Sequence, residues 1–212
     1  MSKVAFELIF QLLKENKEFP NYQAERRIDI FINYFLARIL TCFLMEETTF
    51  VCPEFPLKTS GNNRSTKLDY LCKTTKQPVF VELKTDVNSL KESQALSYLN
   101  SKWQTCISEL HQIHSASKSV YNTKYEKLVD TISIVSFKEE NPEIRVMYIS
   151  PLPKSNKSSW KKINIIKSKK LSELNFLINE DEKIIWYFLL ELDLYIYEIG
   201  RLTVASGNNT QG

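Results

Sequence analysis

Apolar side chains recur at helical spacing in two opening stretches, residues 3–14 (KVAFELIFQLLK) and a longer one from Tyr22 to Met45, with Pro20 and Asn21 between them. The pattern then changes. β-Branched and aromatic residues concentrate in TTFVCPEFPL (48–57), STKLDYLCK (65–73) and QPVFVELKT (77–85), separated by KTSGNNRS and KTTKQ, both of turn composition. Three strands in a meander are expected. From Ser89 to about Ser117 the helical period returns through Leu90, Leu96, Leu99, Trp103, Ile107 and Leu110, predicting a helix of about seven turns, continuous or broken. Two more strands are expected at VDTISIVSF (129–137) and IRVMYIS (144–150). Residues 181–199 (DEKIIWYFLLELDLYIYEI), apolar almost all round, predict a buried closing helix, with a strand pair as the less favoured alternative. The order predicts an α/β fold: a central mixed β-sheet, built from a three-strand meander plus further strands and flanked by α-helices. A single domain is expected over 1–204, with 205–212 (ASGNNTQG) a disordered tail.

Composition narrows the chemistry. At 212 residues and 43% hydrophobic the chain suffices for one core but not for two ordinary domains. Only 4 glycines are present and neither GxxxxGK[ST] nor GxGxxG occurs, which argues against a P-loop ATPase or a Rossmann dehydrogenase. Cys42, Cys52, Cys72 and Cys106 lack CxxC spacing and read as buried free thiols. His111 and His114 lack further zinc ligands nearby and read as surface residues. No stretch reaches the roughly 18 apolar residues of a membrane span and no signal peptide is evident, so no membrane association and a cytoplasmic location are expected.

The segment VFVELKT raises a sharper question. Strand alternation turns Val79, Val81 and Leu83 one way and Phe80, Glu82 and Lys84 the other. A third strand followed by a helix is expected to be central and covered, where isolated charges are costly. A salt bridge on a solvated face is the mundane alternative. The preceding strand places Asp69 among Leu68, Tyr70 and Leu71, and a short connection lets it sit beside Glu82 on one face. Two carboxylates converging with a lysine make a poor ion pair but suit a hard divalent cation with oxygen ligands, for which Mg²⁺ is the best fit.

Asp69 followed across a hairpin by Glu82-Leu83-Lys84 resembles the D…(D/E)xK signature of the PD-(D/E)xK nuclease superfamily, and the element order resembles its restriction-endonuclease-like core over about residues 22–150. Gln94 and Tyr98 in QALSY, four apart on one helical face, resemble the QxxxY motif of the RecB-type, resolvase-like branch. Residue 68 is Leu where the nominal motif has Pro. The resemblance implies Asp69, Glu82 and Lys84 as catalytic residues of a metal-dependent phosphodiester hydrolase. Asp69, Glu82 and the Leu83 carbonyl would hold Mg²⁺, with Mn²⁺ a possible substitute, and Gln94 and Tyr98 would hold the scissile strand. Glu25 is carried as a further ligand, with Asp29 and Glu54 as competitors; Asp86 would reach the site or cap the next turn. The implied partner is nucleic acid, with DNA the expectation; the alternative is an inactive nuclease-fold protein that binds nucleic acid or a protein partner.

Net charge is only +3, but Lys154 to Lys170 holds seven lysines and no acid. A solvated loop and helix face, or a phosphate-contacting patch, are both open. In the second case Lys157, Lys161 and Lys162 would meet phosphates while Trp160 stacks a base; otherwise Trp160 anchors a loop or the core.

Overall fold

The computed structural model describes residues 25–58, 65–117, 119–153 and 160–202, without the side chains at 25–27, 65 and 119–122. The helix expected at 3–14 and the tail at 205–212 lie outside these residues. Helix α1 (Glu25–Leu44) forms because Ile28, Ile32, Phe35, Leu36, Ile39, Leu40 and Phe43 recur on one face, and all of them are buried. Strands β1 (Thr49–Lys58), β2 (Ser65–Lys73) and β3 (Pro78–Leu83) follow as the expected antiparallel meander.

Helices α2 (Glu92–Asn100), α3 (Trp103–Ala116) and α4 (Ser119–Ser133) then carry the chain to β4 (Arg145–Ser150), which lies parallel to β3. A parallel neighbour needs such a crossover. Strand β5 (Ile163–Lys170), helix α5 (Glu180–Glu191) and strand β6 (Tyr195–Arg201) complete a six-stranded mixed sheet of order β1-β2-β3-β4-β6-β5. Helices cover both faces. Val79, Val81, Leu83, Met147 and Ile149 pack under α1 and α5, whereas Phe80, Val146, Tyr148 and Tyr197 pack under α2 and α3. No helix among the described residues is long and apolar enough to cross a membrane.

The helix expected from Ser89 takes its broken form, because Ser101 adopts an extended backbone (φ −69°, ψ 144°) between α2 and α3. Three expectations are revised. Residues 129–133, expected to start a strand, end α4, and no strand continues through 137. There Tyr125, Leu128, Val129 and Ile132 fall at helical spacing and pack on the core, so tertiary burial overrides the β-branched composition. Residues 181–199 divide between α5 and β6, with a turn at Asp193 (φ 54°). Part of the lysine run is β5, an edge strand; lysines on such an edge discourage pairing with another chain.

Candidate active site

The register pairs Tyr70 with Val81, and one step beyond stand Asp69 and Glu82. The Leu83 N–H donates to Asp69 Oδ2 at 2.8 Å, fixing that carboxylate against β3. Lys84 lies just past the end of β3, where its own N–H donates to the Ile149 carbonyl at 2.9 Å and holds the strand end to β4. Its ammonium therefore folds back over the site. Lys84 Nζ stands 2.8 Å from Glu82 Oε1, 2.9 Å from the Leu83 carbonyl oxygen and 3.7 Å from Asp69 Oδ2. Three oxygens, two of them from carboxylates, converge on one cation.

Helix α2 supplies the other wall. Gln94 Nε2 donates to Glu82 Oε1 at 2.7 Å and to the Tyr98 hydroxyl at 2.8 Å, and that hydroxyl donates to Glu82 Oε2 at 2.8 Å. The i, i+4 pair thus clamps the Glu82 carboxylate. Access is one-sided: the Glu82 side chain is 2% exposed, that of Asp69 30%.

Electrostatics follow from this enclosure. Burial pushes the Asp69 carboxyl above the usual carboxylate range, against the pull of Lys84 and of the Leu83 N–H. Burial and then repulsion from Asp69 raise that of Glu82, against Lys84 and Tyr98. Burial, reinforced by Glu82, keeps the Tyr98 phenol protonated. One ammonium does not balance two crowded carboxylates.

The structure thus brings together Asp69, Glu82, Leu83, Lys84, Gln94 and Tyr98, as expected from sequence. Gln94 and Tyr98 spend their polar groups on Glu82, which makes them positioning residues in this state. Glu25 begins α1, but its side chain, like the whole of Lys157, lies outside the described residues. Asp29 is exposed and accepts from the adjacent Ile30 N–H, while Asp86 caps a short turn by accepting from Asn88 N at 3.1 Å. Glu54, with φ 49°, is near enough to add to the upward push on Asp69, but its exposed carboxylate pairs with Lys67 at 2.6 Å. Trp160 is half-buried, its ring edge-on to Tyr148 at 5.5 Å between centroids; Lys161 and Lys162 are exposed beside it, ahead of β5. His111 is exposed and His114 half-buried; all four cysteines are free, with Cys42 half-buried.

Sequence reasoning missed Tyr148. It is the β4 register partner of Glu82, is fully buried, and its hydroxyl finds no hydrogen-bond partner among the described residues. Burial, then the charge of Glu82, raises its pKa. The signal was present in RVMYIS, since strand alternation puts Tyr148 on the face of Val146 and Ser150, but only the parallel pairing puts that face beside Glu82.

No family model, curated protein or solved structure matches the chain.

Proposed function

We propose that the protein is a metal-dependent nuclease with a restriction-endonuclease-like core, hydrolysing phosphodiester bonds in nucleic acid, with DNA the expected substrate. The observation that carries this reading is the convergence of Asp69, Glu82 and the Leu83 carbonyl on the Lys84 ammonium. Among the described residues no three His, Cys, Asp or Glu side chains gather, so two carboxylates and a backbone carbonyl are the donor set considered. That all-oxygen set fits Mg²⁺, which binds through one or two carboxylates and retains waters for substrate, with Mn²⁺ a substitute. A cation already occupies the focus of these oxygens, in the form of Lys84.

A divalent ion held there would supply Lewis-acid polarisation of the phosphodiester and an acidified water. Asp69 and Glu82 would hold it, and Gln94 and Tyr98, which clamp the Glu82 carboxylate, would keep it in the geometry to do so. With the ion bound, Lys84 on its flexible stem would be free to orient the attacking water and to stabilise charge on the pentavalent phosphorus. The products are a 5′-phosphate and a 3′-hydroxyl.

A nicking assay on supercoiled plasmid and on single-stranded DNA tests this. Cleavage is expected with Mg²⁺ or Mn²⁺ and none with EDTA, and it should vanish in Asp69→Asn and Lys84→Met. Binding without cleavage, indifferent to both substitutions, would show instead a nuclease-fold binding protein.

A further inference from the structure

The site is most accessible on the Asp69 side, whose side chain is 30% exposed. Across the β1–β2 ladder from Asp69, between the register pairs Pro53–Tyr70 and Phe55–Leu68, stands Glu54, whose carboxylate pairs with Lys67 at 2.6 Å. Both line a cleft of about 1130 Å³ between β1, α3 and α4. Lys58, Lys124 and Lys127 line it as well, all exposed, while Glu54 is the one acid among its described lining residues. No ion pair among the described residues uses Lys58, Lys124 or Lys127. Tyr125 and Pro53 give it an apolar floor.

Cationic rims with an aromatic floor suit single-stranded nucleic acid, whose phosphates meet the lysines while its bases stack; a duplex keeps its bases from such a floor. We propose that this cleft is the path by which a single-stranded stretch of nucleic acid reaches Asp69, with Lys58, Lys67, Lys124 and Lys127 contacting phosphates and Tyr125 and Pro53 contacting bases. This rests on the nuclease reading for its direction toward Asp69. It assigns the track to the β1 edge of the sheet; Lys161 and Lys162 precede β5, the opposite edge.

Fluorescence anisotropy of a labelled oligothymidylate in EDTA, across a salt series, tests it without cleavage. Lys124→Glu/Lys127→Glu is expected to weaken binding at least about tenfold and to flatten the slope of log K against log salt by about 1.4, at about 0.7 per lost contact. Lys161→Glu/Lys162→Glu should leave both unchanged, and circular dichroism should show both variants folded. Binding that depends on Lys161 and Lys162 instead, stronger binding of a duplex, or a polyglutamate peptide bound through Lys124 and Lys127 in place of the oligonucleotide would each overturn the proposal. Cleavage that persists with such a result would leave the nuclease reading standing. Oligonucleotide bound through the cleft by a wild type that never cuts would keep the track and remove the nuclease reading.

Discussion

Two acid–base clusters on opposite faces of the same sheet have opposite electrostatic character. Between α1 and α5, Glu182 accepts from Arg38 at 2.9 and 3.0 Å, from the Tyr34 hydroxyl at 2.7 Å and from the Asn179 N–H at 2.9 Å. The Arg38 hydrogen bonds, then those from Asn179 and Tyr34, pull its carboxyl down to about 2. Under α2, Glu82 accepts from Gln94, Tyr98 and Lys84, yet its carboxyl and that of Asp69 are raised. The difference lies in the count of charges and in burial. Glu182 faces a planar guanidinium at a helix N-terminus, with its first-turn neighbours Glu180 and Asp181 exposed to solvent, and the pair joins two helices. Glu82 and Asp69 share one ammonium in a buried niche, an arrangement that leaves a cation deficit. The first cluster stabilises the fold; the second holds charge that a divalent ion would neutralise.

The largest expected difference is in activity. Lys84→Met and Asp69→Asn should each lower cleavage at least about a thousandfold, as for loss of a group acting on the transition state or its metal, while Glu182→Gln leaves the rate per folded molecule unchanged in the same plasmid assay. A rate that follows Glu182 would erase the distinction between the clusters.

Stability should divide the other way. Glu182→Gln should destabilise by about 1–2 kcal/mol, the value of a partly exposed charge-assisted network, read from urea unfolding at neutral pH. Asp69→Asn removes one of two repelling carboxylates and should leave the urea midpoint unchanged or raise it; a fall as large as that for Glu182→Gln would contradict the cation deficit.

pH sharpens the contrast. The folded value for Glu182 is depressed, so its contribution is full above the unfolded carboxylate range near 4.5 and is lost as pH falls through about 2. For Asp69 and Glu82 the folded values are raised, so the folded state binds the extra proton and their contribution declines as pH rises through the raised values. Acid unfolding of wild type and Glu182→Gln should therefore converge toward pH 2, and a gap that persists there would refute this assignment.

The smallest effect is at Tyr148. Among the described residues its hydroxyl has no partner to lose, so Tyr148→Phe should not lower the unfolding midpoint, while any fall in cleavage would mark the hydroxyl as part of the site. A clear loss of stability would reveal a structural hydrogen bond instead.

Much of the site was legible because its logic is local. Charges at Glu82 and Lys84 break an apolar strand, Asp69 breaks the one before it, and a short hairpin leaves little freedom in how the two strands meet. Gln94 and Tyr98 were visible as a helical pair, but not that both would turn to Glu82, since that depends on where α2 lies over the sheet. What the sequence hid was nonlocal. The parallel pairing that seats Tyr148 beside Glu82 follows a crossover of three helices. Val129 and Ile132 suit strand and helix alike, and only packing against the core selects α4. β5 escaped notice because an edge strand tolerates lysines that obscure its alternation.

The central claim is that Asp69, Glu82 and Leu83, whose oxygens converge on the Lys84 ammonium, form a divalent-cation site. Titration of Mn²⁺ into the protein, followed by electron paramagnetic resonance of the free ion, tests it directly. Wild type and Glu182→Gln should bind with equal affinity, Asp69→Asn and Glu82→Gln weakly or not at all, and Lys84→Met more tightly than wild type. Absence of binding in the wild type, or equal binding by Asp69→Asn, would contradict it.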